Sequence, residues 1–462
     1  MIRKHVKVWW LLAALTGALL LAMTACGDSG DDNGDGDGTP SVQATEAGPV
    51  STRTPYPTEL IVTKEQILEK DPGVTNTVEI EWGWMFEISG PPEVQNFGIP
   101  TGDGVKIAVE EINAAGGFQV GDTIYTIKLI EKDTKSEIAN TRAVAQELVQ
   151  DDGVKVIFGP ATLGETEATQ ITQAGEVIHL CPCQEREVNA LSSVEKANGE
   201  SRWAFQTLLP FSLLIEDGAR DFNVDWPDLH TMALLCQNSR TGKDICERTK
   251  DAYERNGTEI IGDIQYFPPG TTDFTPYLTR LRDQDPDYLY NYDDPLNTTA
   301  IVKQALQLGV GRLHLVTVPA NLARALIGVP LTAPVIAGAA PRQFVQPTSP
   351  EVAAFAEQYK DYLDGGDLPL AGFVSLMTYD YAFMVAAAMQ QAGTVEDTTA
   401  IADALATLHY DGVAEDDLFF NSRHLAVHGT EPCVVETDPV KGDPEVTITC
   451  THNSPPPESY LE

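Results

Sequence analysis

From about Val78 onward, the chain alternates short apolar runs with amphipathic stretches, and this order constrains its fold more than any other feature. The apolar runs predict strands, several of them nearly continuous in Val, Ile and Leu, as is typical of parallel strands covered on both faces. These strands are predicted at 78–86, 123–133, 154–160, 177–182, 231–236, 258–267, 286–292, 313–318 and 333–340. Helical patterns lie between them at 104–117, 137–152 and 275–283. The order strand, helix, strand predicts right-handed parallel units, and hence an α/β, doubly wound fold.

The strands fall into two series, about 78–204 and 211–335, which hold too many strands for one comfortable sheet. A chain of 462 residues is also too long for one simple core. We therefore predict two doubly wound, Rossmann-like lobes. In such sheets a ligand binds beyond the carboxyl ends of the strands, where the strand order reverses, so two facing lobes would place their loops around one cleft.

The composition is strongly acidic, with 68 Asp and Glu against 30 Lys and Arg and a net charge of −38. Phosphate binding needs clustered Lys and Arg, so nucleic-acid binding is excluded as a function. Hydrophobic residues make up 42% of the chain and aromatic residues 8%, which argues against global disorder.

Residues 1–25 predict an export signal, because three basic residues precede an uninterrupted apolar run at 8–23. The order Met-Thr-Ala-Cys that ends at Cys26 resembles the lipobox of bacterial lipoproteins, which implies cleavage before this cysteine and its acylation. The alternative is an uncleaved anchoring helix. In either case the globular part lies outside the cytoplasm, and we expect it to be lipid-anchored at the outer face of the bacterial cell membrane or in the periplasm.

The segment 26–75 begins with a stretch rich in Gly, Asp, Ser, Thr and Pro, and we predict an acylated cysteine followed by a disordered acidic tether. Its acidic run resembles an EF-hand loop. The twelfth position of that loop is Val42, where calcium binding requires Glu, so we predict no calcium site. Residues 453–462 are predicted to be a tail, and no cofactor is expected.

Several segments carry a resemblance to a known family. They are ISGPPEVQNFGIPTGDGVKIAVEEINAAGG, IKLIEKDTKSEIANTRAVAQELVQDDGVKVIFGP, the run FPPGTTDFT at 267–275, KQALQLGVG and YDYAFMVAAAMQQAGT. In their order, from about Val78 to about Thr449, they resemble the branched-chain amino-acid-binding family, the type I periplasmic solute-binding proteins of ABC importers.

The resemblance implies a fold of two lobes joined by a three-stranded hinge. We expect the hinge crossovers near 205–211, 336–341 and 412–418. The N-terminal lobe would then comprise 76–205 plus 341–411, and the C-terminal lobe 211–335 plus 419–452.

The function implied is the capture of a small polar solute, an amino acid or an amide- or amine-like molecule, by hinge closure of the two lobes. Membrane permease subunits of the importer would be the protein partners, and we expect a monomer. The alternative is a ligand-sensing lipoprotein that signals to a membrane partner with the same clamshell. An enzyme is not expected, because the sequence shows no Gly-x-Ser-x-Gly elbow, P-loop or His-Glu-x-x-His motif.

In the family, the loop after the third strand supplies hydroxyls and backbone amides to the ligand carboxylate. This loop is 159–166 here, which nominates Thr162 and Leu163 as ligand-binding residues. Amides at the start of the following helix can bind an anion whatever the side chains. The family's usual serines are replaced by Leu163, Gly164 and Glu165, which departs from a standard α-carboxylate pocket.

The loop after the fourth strand, 181–186, reads Cys-Pro-Cys-Gln-Glu-Arg instead of the usual Ser-Pro-Gly/Ala-Ala-Thr. By the same resemblance Gln184 and Glu185 would face the cleft, with Arg186 as an anion partner.

In the second lobe, the family's Asp-x-x-Tyr-Gly loop corresponds to 237–242, which lacks both the acid and the aromatic residue. Asn238 and Arg240 are the candidates there.

The predicted strand 286–292 ends in Tyr292, which is the tyrosine of that strand best placed to reach the cleft. Asp293 and Asp294 follow, and strand-end logic places them to meet a cationic or amide nitrogen. Because Pro295 comes next, they could instead cap a helix or a turn.

Trp82, Trp84 and Phe86 share one face of the first strand, and a core stripe is the more natural interpretation. Trp84 lies near the end of the strand and is kept as a secondary ligand-binding candidate.

Seven cysteines minus Cys26 leave six in an oxidising compartment, so disulfides are expected. Local geometry favours two pairs, Cys433 with Cys450 across a C-terminal hairpin, and Cys236 with Cys246. The pairing of the two cysteines in the Cys-Pro-Cys run at 181–183 stays open. A metal site in that run is not expected, because zinc ligands are usually separated by two to four residues.

Overall fold

The computed structural model describes residues 61–182, 202–208, 215, 218–220, 227–292, 295–316, 335–340, 349–366, 368–369, 372–427, 431–437 and 446–450. The strands of these residues are β1 (Val62–Thr63), β2 (Thr77–Phe86), β3 (Phe118–Val120), β4 (Thr123–Asp133), β5 (Val156–Phe158), β6 (Ile178–Cys181), β7 (Ala204–Gln206), β8 (Thr231–Gln237), β9 (Glu259–Ile260), β10 (Gln265–Phe267), β11 (Tyr288–Tyr292), β12 (Leu313–Val316), β13 (Val335–Ala340), β14 (Tyr410–Asp411), β15 (Phe419–Phe420), β16 (Ala426–Val427), β17 (Glu431–Thr437) and β18 (Val446–Cys450). The helices are α1 (Lys64–Leu68), α2 (Pro92–Ala114), α3 (Ile138–Gln150), α4 (Glu165–Ala174), α5 (Arg240–Arg255), α6 (Thr275–Arg282), α7 (Pro295–Leu308), α8 (Pro350–Tyr362), α9 (Phe373–Ala392) and α10 (Thr398–Leu405).

The first large sheet has the strand order β3-β4-β2-β5-β6-β7. All neighbours are parallel except β3 and β4, which are antiparallel. Strand β2 pairs with β4 along its whole length, from Thr77 opposite Ile124 to Phe86 opposite Asp133. Strand β4 lies on one side of β2, and the next strand along the chain, β5, lies on the other side. The strand order therefore reverses between β2 and β5.

The second large sheet has the order β10-β8-β11-β12-β13-β17-β18, with β9 beside β8. Its strands from β8 to β13 are parallel, and β17 and β18 continue it as antiparallel strands. The order again reverses, here between β8 and β11. The predicted doubly wound fold is therefore confirmed in both series.

Among the described residues, apolar side chains cover both faces of each sheet, and strands β5, β6 and β8 are accordingly buried along all or most of their length. On the first sheet, one face packs with α2, α8, α9 and α10, and the other with α3 and α4. On the second sheet, one face packs with α5 and the other with α6 and α7.

Most predicted strands lie where the apolar runs placed them, and β4 has the predicted bounds 123–133. The predicted strand at 258–267 is instead two short strands, because Gly262 between them adopts a left-handed φ of +69°. Helix α2 begins at Pro92, twelve residues before the predicted start at 104, because proline is accepted in the first turn of a helix.

Residues 62–68 fall within the predicted tether 26–75 but form β1 and α1, which pack on the first lobe, whereas residues 26–60 lie outside the described residues. Strand β1 pairs in parallel with β14, with Val62 opposite Tyr410. Ile67 in α1 is fully buried in the core of the first lobe. The apolar residues in this short segment bury enough surface to hold it on the lobe.

Strands β15 and β16 also pack on the first lobe. The ring of Phe205 stacks on His424 at 4.1 Å between centroids and meets Phe420 at 5.0 Å. Gln206 forms a parallel bridge with Leu425. We therefore propose that the first lobe also includes 61–75 and 419–427, and that the last segment of the second lobe begins after β16 rather than at 419.

Candidate functional site

The candidate site lies at the carboxyl edge of the first sheet, where the strand order reverses between β2 and β5. Ligands of doubly wound sheets bind at such a point. Two loops meet there, one after β2 and one after β5 at 159–164. Their contacts determine which ligand groups this edge can hold.

The loop after β5 is bound by a carboxylate of the chain itself. Oε1 of Glu87 accepts hydrogen bonds from the backbone N–H of Thr162 at 2.9 Å, from its hydroxyl at 3.0 Å and from the N–H of Leu163 at 3.1 Å. Oε2 accepts from the N–H of Ala161 at 3.2 Å. Glu87 directly follows β2 and is 0% exposed. Thr162 and Leu163, both nominated from the sequence, thus lie at this edge, and both donate to Glu87.

Contacts with Met85, Thr141 and His179 also hold the loop after β5 in place. Gly159 has a φ of +92°, and a Cβ at this position would collide with the backbone oxygen of Met85, so only glycine fits. The carbonyl oxygen of Leu163 accepts a hydrogen bond from the hydroxyl of Thr141 at 2.9 Å. Nε2 of His179 lies 2.7 Å from the carbonyl oxygen of Gly159. Burial lowers the pKa of His179 to about 4, so its ring is neutral at pH 7 and donates from Nε2.

The loop after β2 is held on its other side by Asp133, the last residue of β4. Its carboxylate accepts hydrogen bonds from the N–H groups of Ile88, Ser89 and Lys135 at 3.1, 3.2 and 2.8 Å, and from the Ser89 hydroxyl at 2.6 Å. Partial burial acts to raise the pKa of Asp133, but the hydrogen bonds from Ser89, Lys135 and Ile88 outweigh it and lower that pKa. Two carboxylates therefore fix the backbone at the strand reversal.

In the second lobe, Tyr292 is half-buried at the end of β11, opposite Cys236, whereas Tyr288 and Tyr290 are buried. It remains the tyrosine of this strand with the greatest access to the sheet edge. Asn238 is exposed, and its N–H donates to the carbonyl oxygen of Phe267 at 2.7 Å.

Helix α5 begins next to this edge. The Ser239 hydroxyl caps it by accepting a hydrogen bond from the N–H of Gly242 at 3.0 Å. Arg240 is the first residue of α5, and its side chain lies outside the described part of the structure. A disulfide joins Cys236 at the end of β8 to Cys246 in α5.

Four further candidates lie outside the described residues, namely Gln184, Glu185, Asp293 and Asp294. The same holds for Cys26 and for Arg186. Cys433 and Cys450 are paired directly across β17 and β18, which supports the proposal that they form a disulfide, although their side chains are not described.

Trp84 is 2% exposed and lies in the core of the first lobe with Trp82 and Phe86. Its indole N–H donates to the carbonyl oxygen of Gly102 at 2.9 Å. This environment favours the packing interpretation of the aromatic stripe over ligand contact.

Glu87 and Asp133 are site residues that were not predicted from the sequence. The signal was present, because both are acidic residues at or just after the carboxyl end of a central strand, where a polar side chain meets the ligand edge. Glu87 directly precedes one of the segments that carry the family resemblance, and Asp133 lies within another.

Within the described ranges, no group of three or more His, Cys, Asp or Glu side chains is arranged to hold a metal ion. In the same part of the chain, no helix combines the length and the apolar character needed to cross a bilayer.

Comparisons with known proteins agree with this architecture. Residues 79–436 match the family model described as periplasmic binding protein. A Leu/Ile/Val-binding protein homolog 7 of Brucella suis biovar 1 (strain 1330) is 24% identical over 237 residues, which cover 50% of this chain and 57% of the relative. A homolog 8 of Brucella abortus (strain 2308) is 21% identical over 246 residues, 52% of this chain and 57% of the relative. The chain thus spans little more than half the length of these curated relatives.

Two solved structures share the fold. The branched-chain amino acid transporter substrate binding protein LivJ of Streptococcus pneumoniae, in complex with isoleucine, superposes with a TM-score of 0.64 at 23% identity, covering 81% of this chain and 100% of that one. A solute binding protein of an ABC transporter from Rhodopseudomonas palustris BisB5, in complex with 3,4-dihydroxy benzoic acid, gives a TM-score of 0.64 at 18% identity, with 82% and 99% covered. With the family model matching well over half of the sequence, the chain belongs to the periplasmic binding protein family and has the type I fold of the branched-chain amino-acid-binding proteins.

Proposed function

We propose that this protein is an extracytoplasmic solute-binding protein of an ABC importer, which captures a small polar solute between its two lobes. The observation that carries the proposal is the repeated strand reversal, once in each sheet, at which the loops of a doubly wound fold bind ligands. In the first lobe the loops at this point are already held rigidly by Glu87 and Asp133. A rigid edge of this kind suits recognition, because little backbone order has to be gained on binding.

The mechanism follows from the two-lobe fold. A solute that contacts one lobe first, and both lobes after closure, binds the closed form more tightly and shifts the population toward it. Permease subunits in the membrane then recognise the closed form. No bond of the solute is broken, so the protein is proposed to act without catalysis.

The solute class is proposed as an amino acid or an amide- or amine-like molecule. Two proteins of the same fold hold isoleucine and 3,4-dihydroxy benzoic acid. Both ligands are small enough to be enclosed between two lobes. We further propose a monomer that is anchored through an acylated Cys26.

A thermal-shift screen of the purified chain against amino acids, amides and amines tests this function. A solute at about 100 times its Kd should raise the free energy of unfolding by about 2.7 kcal/mol. Asp293→Ala and Gln184→Ala should then abolish the shift, since both residues are proposed cleft contacts. Asp403→Ala, at a side chain that is 63% exposed on α10, is the control and should keep it.

The proposal fails if no compound of these classes stabilises the protein, or if the purified chain turns over any of them. A shift that survives both cleft substitutions would leave the function standing and would show that these two residues do not contact the solute.

A further inference from the structure

We propose that Glu87 is a specificity-determining residue, because its carboxylate occupies the anion position of the loop after β5, so that the solute presents no carboxylate to the first lobe. This inference rests on the proposed function and narrows its solute class to molecules that meet this edge with a neutral or cationic group, such as an amide or an amine.

The loop after β5 offers four hydrogen-bond donors at this edge. Ala161, Thr162 and Leu163 offer three consecutive backbone N–H groups, and Thr162 adds a hydroxyl. Glu87 accepts from all four. A solute carboxylate at this loop needs the same donors, because consecutive N–H groups beside a helix start are what such a loop provides for an anion.

The side chain of Glu87 lies in the interior of the first lobe. Helix α2 packs against this side chain through Gly98. A Cβ at Gly98 would lie 2.8 Å from Cβ of Glu87 and 2.9 Å from its Oε2, closer than real contacts allow. A glycine thus makes room for this side chain, which is 0% exposed. The carboxylate is an interior group of the lobe rather than a surface side chain that a solute could push aside.

The carboxylate of Glu87 also acts on a solute through its charge. A solute carboxylate beside Glu87 would be repelled, because like charges a few ångströms apart in a buried site interact unfavourably. The edge therefore disfavours an anion, and a neutral or cationic donor group is the better match.

The first test compares matched acids and amides on the wild-type chain by differential scanning fluorimetry. The pairs are isoleucine with isoleucinamide and benzoate with benzamide, and the corresponding amine is tested beside each pair. We expect stabilisation, where it occurs, from the amide or amine member, with at least about tenfold weaker binding of the acid. An acid that stabilises the wild type as strongly as its amide overturns the inference while leaving the proposed function intact.

The second test does not depend on the natural solute. Glu87→Ala vacates the four donors, so sodium formate should raise the melting temperature of this variant in a saturable way, beyond an equal concentration of sodium chloride. Glu87→Gln keeps the volume filled and is the matched control. It and the wild type should show no response specific to formate.

The outcomes are distinct. Equal responses of Glu87→Ala, Glu87→Gln and the wild type to formate overturn the inference, because the loop would then hold no vacated anion position. If no compound of the first test stabilises the wild type, the proposed function is in question, and the formate response alone decides the role of Glu87. If Glu87→Ala does not fold, the acid and amide pairs on the wild type decide it.

Discussion

Asp380 in α9 is predicted to be a major source of stability at the proposed third crossover between the lobes. Its carboxylate is 0% exposed and accepts hydrogen bonds from the backbone N–H groups of Val413 at 2.9 Å and Ala414 at 2.7 Å. Gly412 lies against the same carboxylate, since a Cβ there would approach Oδ2 at 2.5 Å. One side chain thus fixes three successive backbone positions of this segment.

The magnitude follows from these contacts. Asp380→Ala removes two hydrogen bonds to a charged group, each worth about 1.5–3 kcal/mol, and leaves the N–H of a fully buried Ala414 without that acceptor. Val413 is half-buried, so its N–H can regain part of its energy from water. We expect a loss of about 3–4 kcal/mol in the free energy of unfolding. Asp380→Asn keeps one carbonyl oxygen as an acceptor and should lose roughly half as much.

Urea unfolding followed by tryptophan fluorescence suits this test, because Trp82 and Trp84 lie in the same core as α9. Asp403→Ala is the matched control. Its carboxylate is 63% exposed and pairs with Arg202 at 3.2 Å, an exposed ion pair worth at most about 1 kcal/mol. If Asp380→Ala costs no more than Asp403→Ala, the stabilisation assigned to the buried carboxylate is wrong.

Two further predictions concern packing and pH. Gly104→Ala in α2 should destabilise the first lobe by about 2 kcal/mol although alanine favours helices by about 1 kcal/mol, because the new Cβ would collide with the backbone oxygen of Ser375 in α9. Gly73→Ala, with nothing within 4 Å of its Cβ, is the control in urea unfolding, and equal stability of the two variants would contradict the packing argument. Burial lowers the pKa of His314 from an ordinary 6.5 to about 4. Between these two pH values the unfolded chain binds a proton at this histidine that the folded chain does not. The free energy of unfolding should therefore fall by about 1.4 kcal/mol for each pH unit as the pH is lowered from 6.5 to 4. His314→Leu should flatten this part of the stability profile by that amount, and an unchanged slope would show that this histidine does not titrate as described.

The strands were predictable because burial on both faces of a parallel sheet leaves a continuous apolar run in the sequence. Strands β5 and β6 show this burial, since every residue in them is buried. The interruption at Gly262 was not predictable from the apolar pattern, since it depends on a left-handed backbone conformation. The start of α2 was missed because its first turns contain Pro92, Pro100 and several glycines, which propensity assigns to a loop but which tertiary contacts with Trp84 and α9 require.

The position of the candidate site could be predicted from the sequence, but the hydrogen bonds within it could not. The resemblance placed Thr162 and Leu163 at the ligand edge. They lie there because their loop follows the carboxyl end of a parallel strand, where ligands of doubly wound sheets bind. The resemblance could not show that Glu87 takes up their donors, because this depends on two segments 74–76 residues apart meeting in space. The departure from a standard α-carboxylate pocket, visible in the sequence of this loop, thus has a counterpart in the structure, where the loop donates to a carboxylate of the chain itself.

The pairing of β1 with β14 has a mechanical consequence. Val62 and Thr63 are hydrogen-bonded beside Tyr410 and Asp411, and Ile67 is fixed in the interior of the first lobe. A pulling force on the chain before residue 61 would thus act on the first lobe and would not load the second. If that chain is held at a membrane, as proposed for Cys26, the first lobe would be the tethered lobe, and the proposed closure would move the second lobe relative to it.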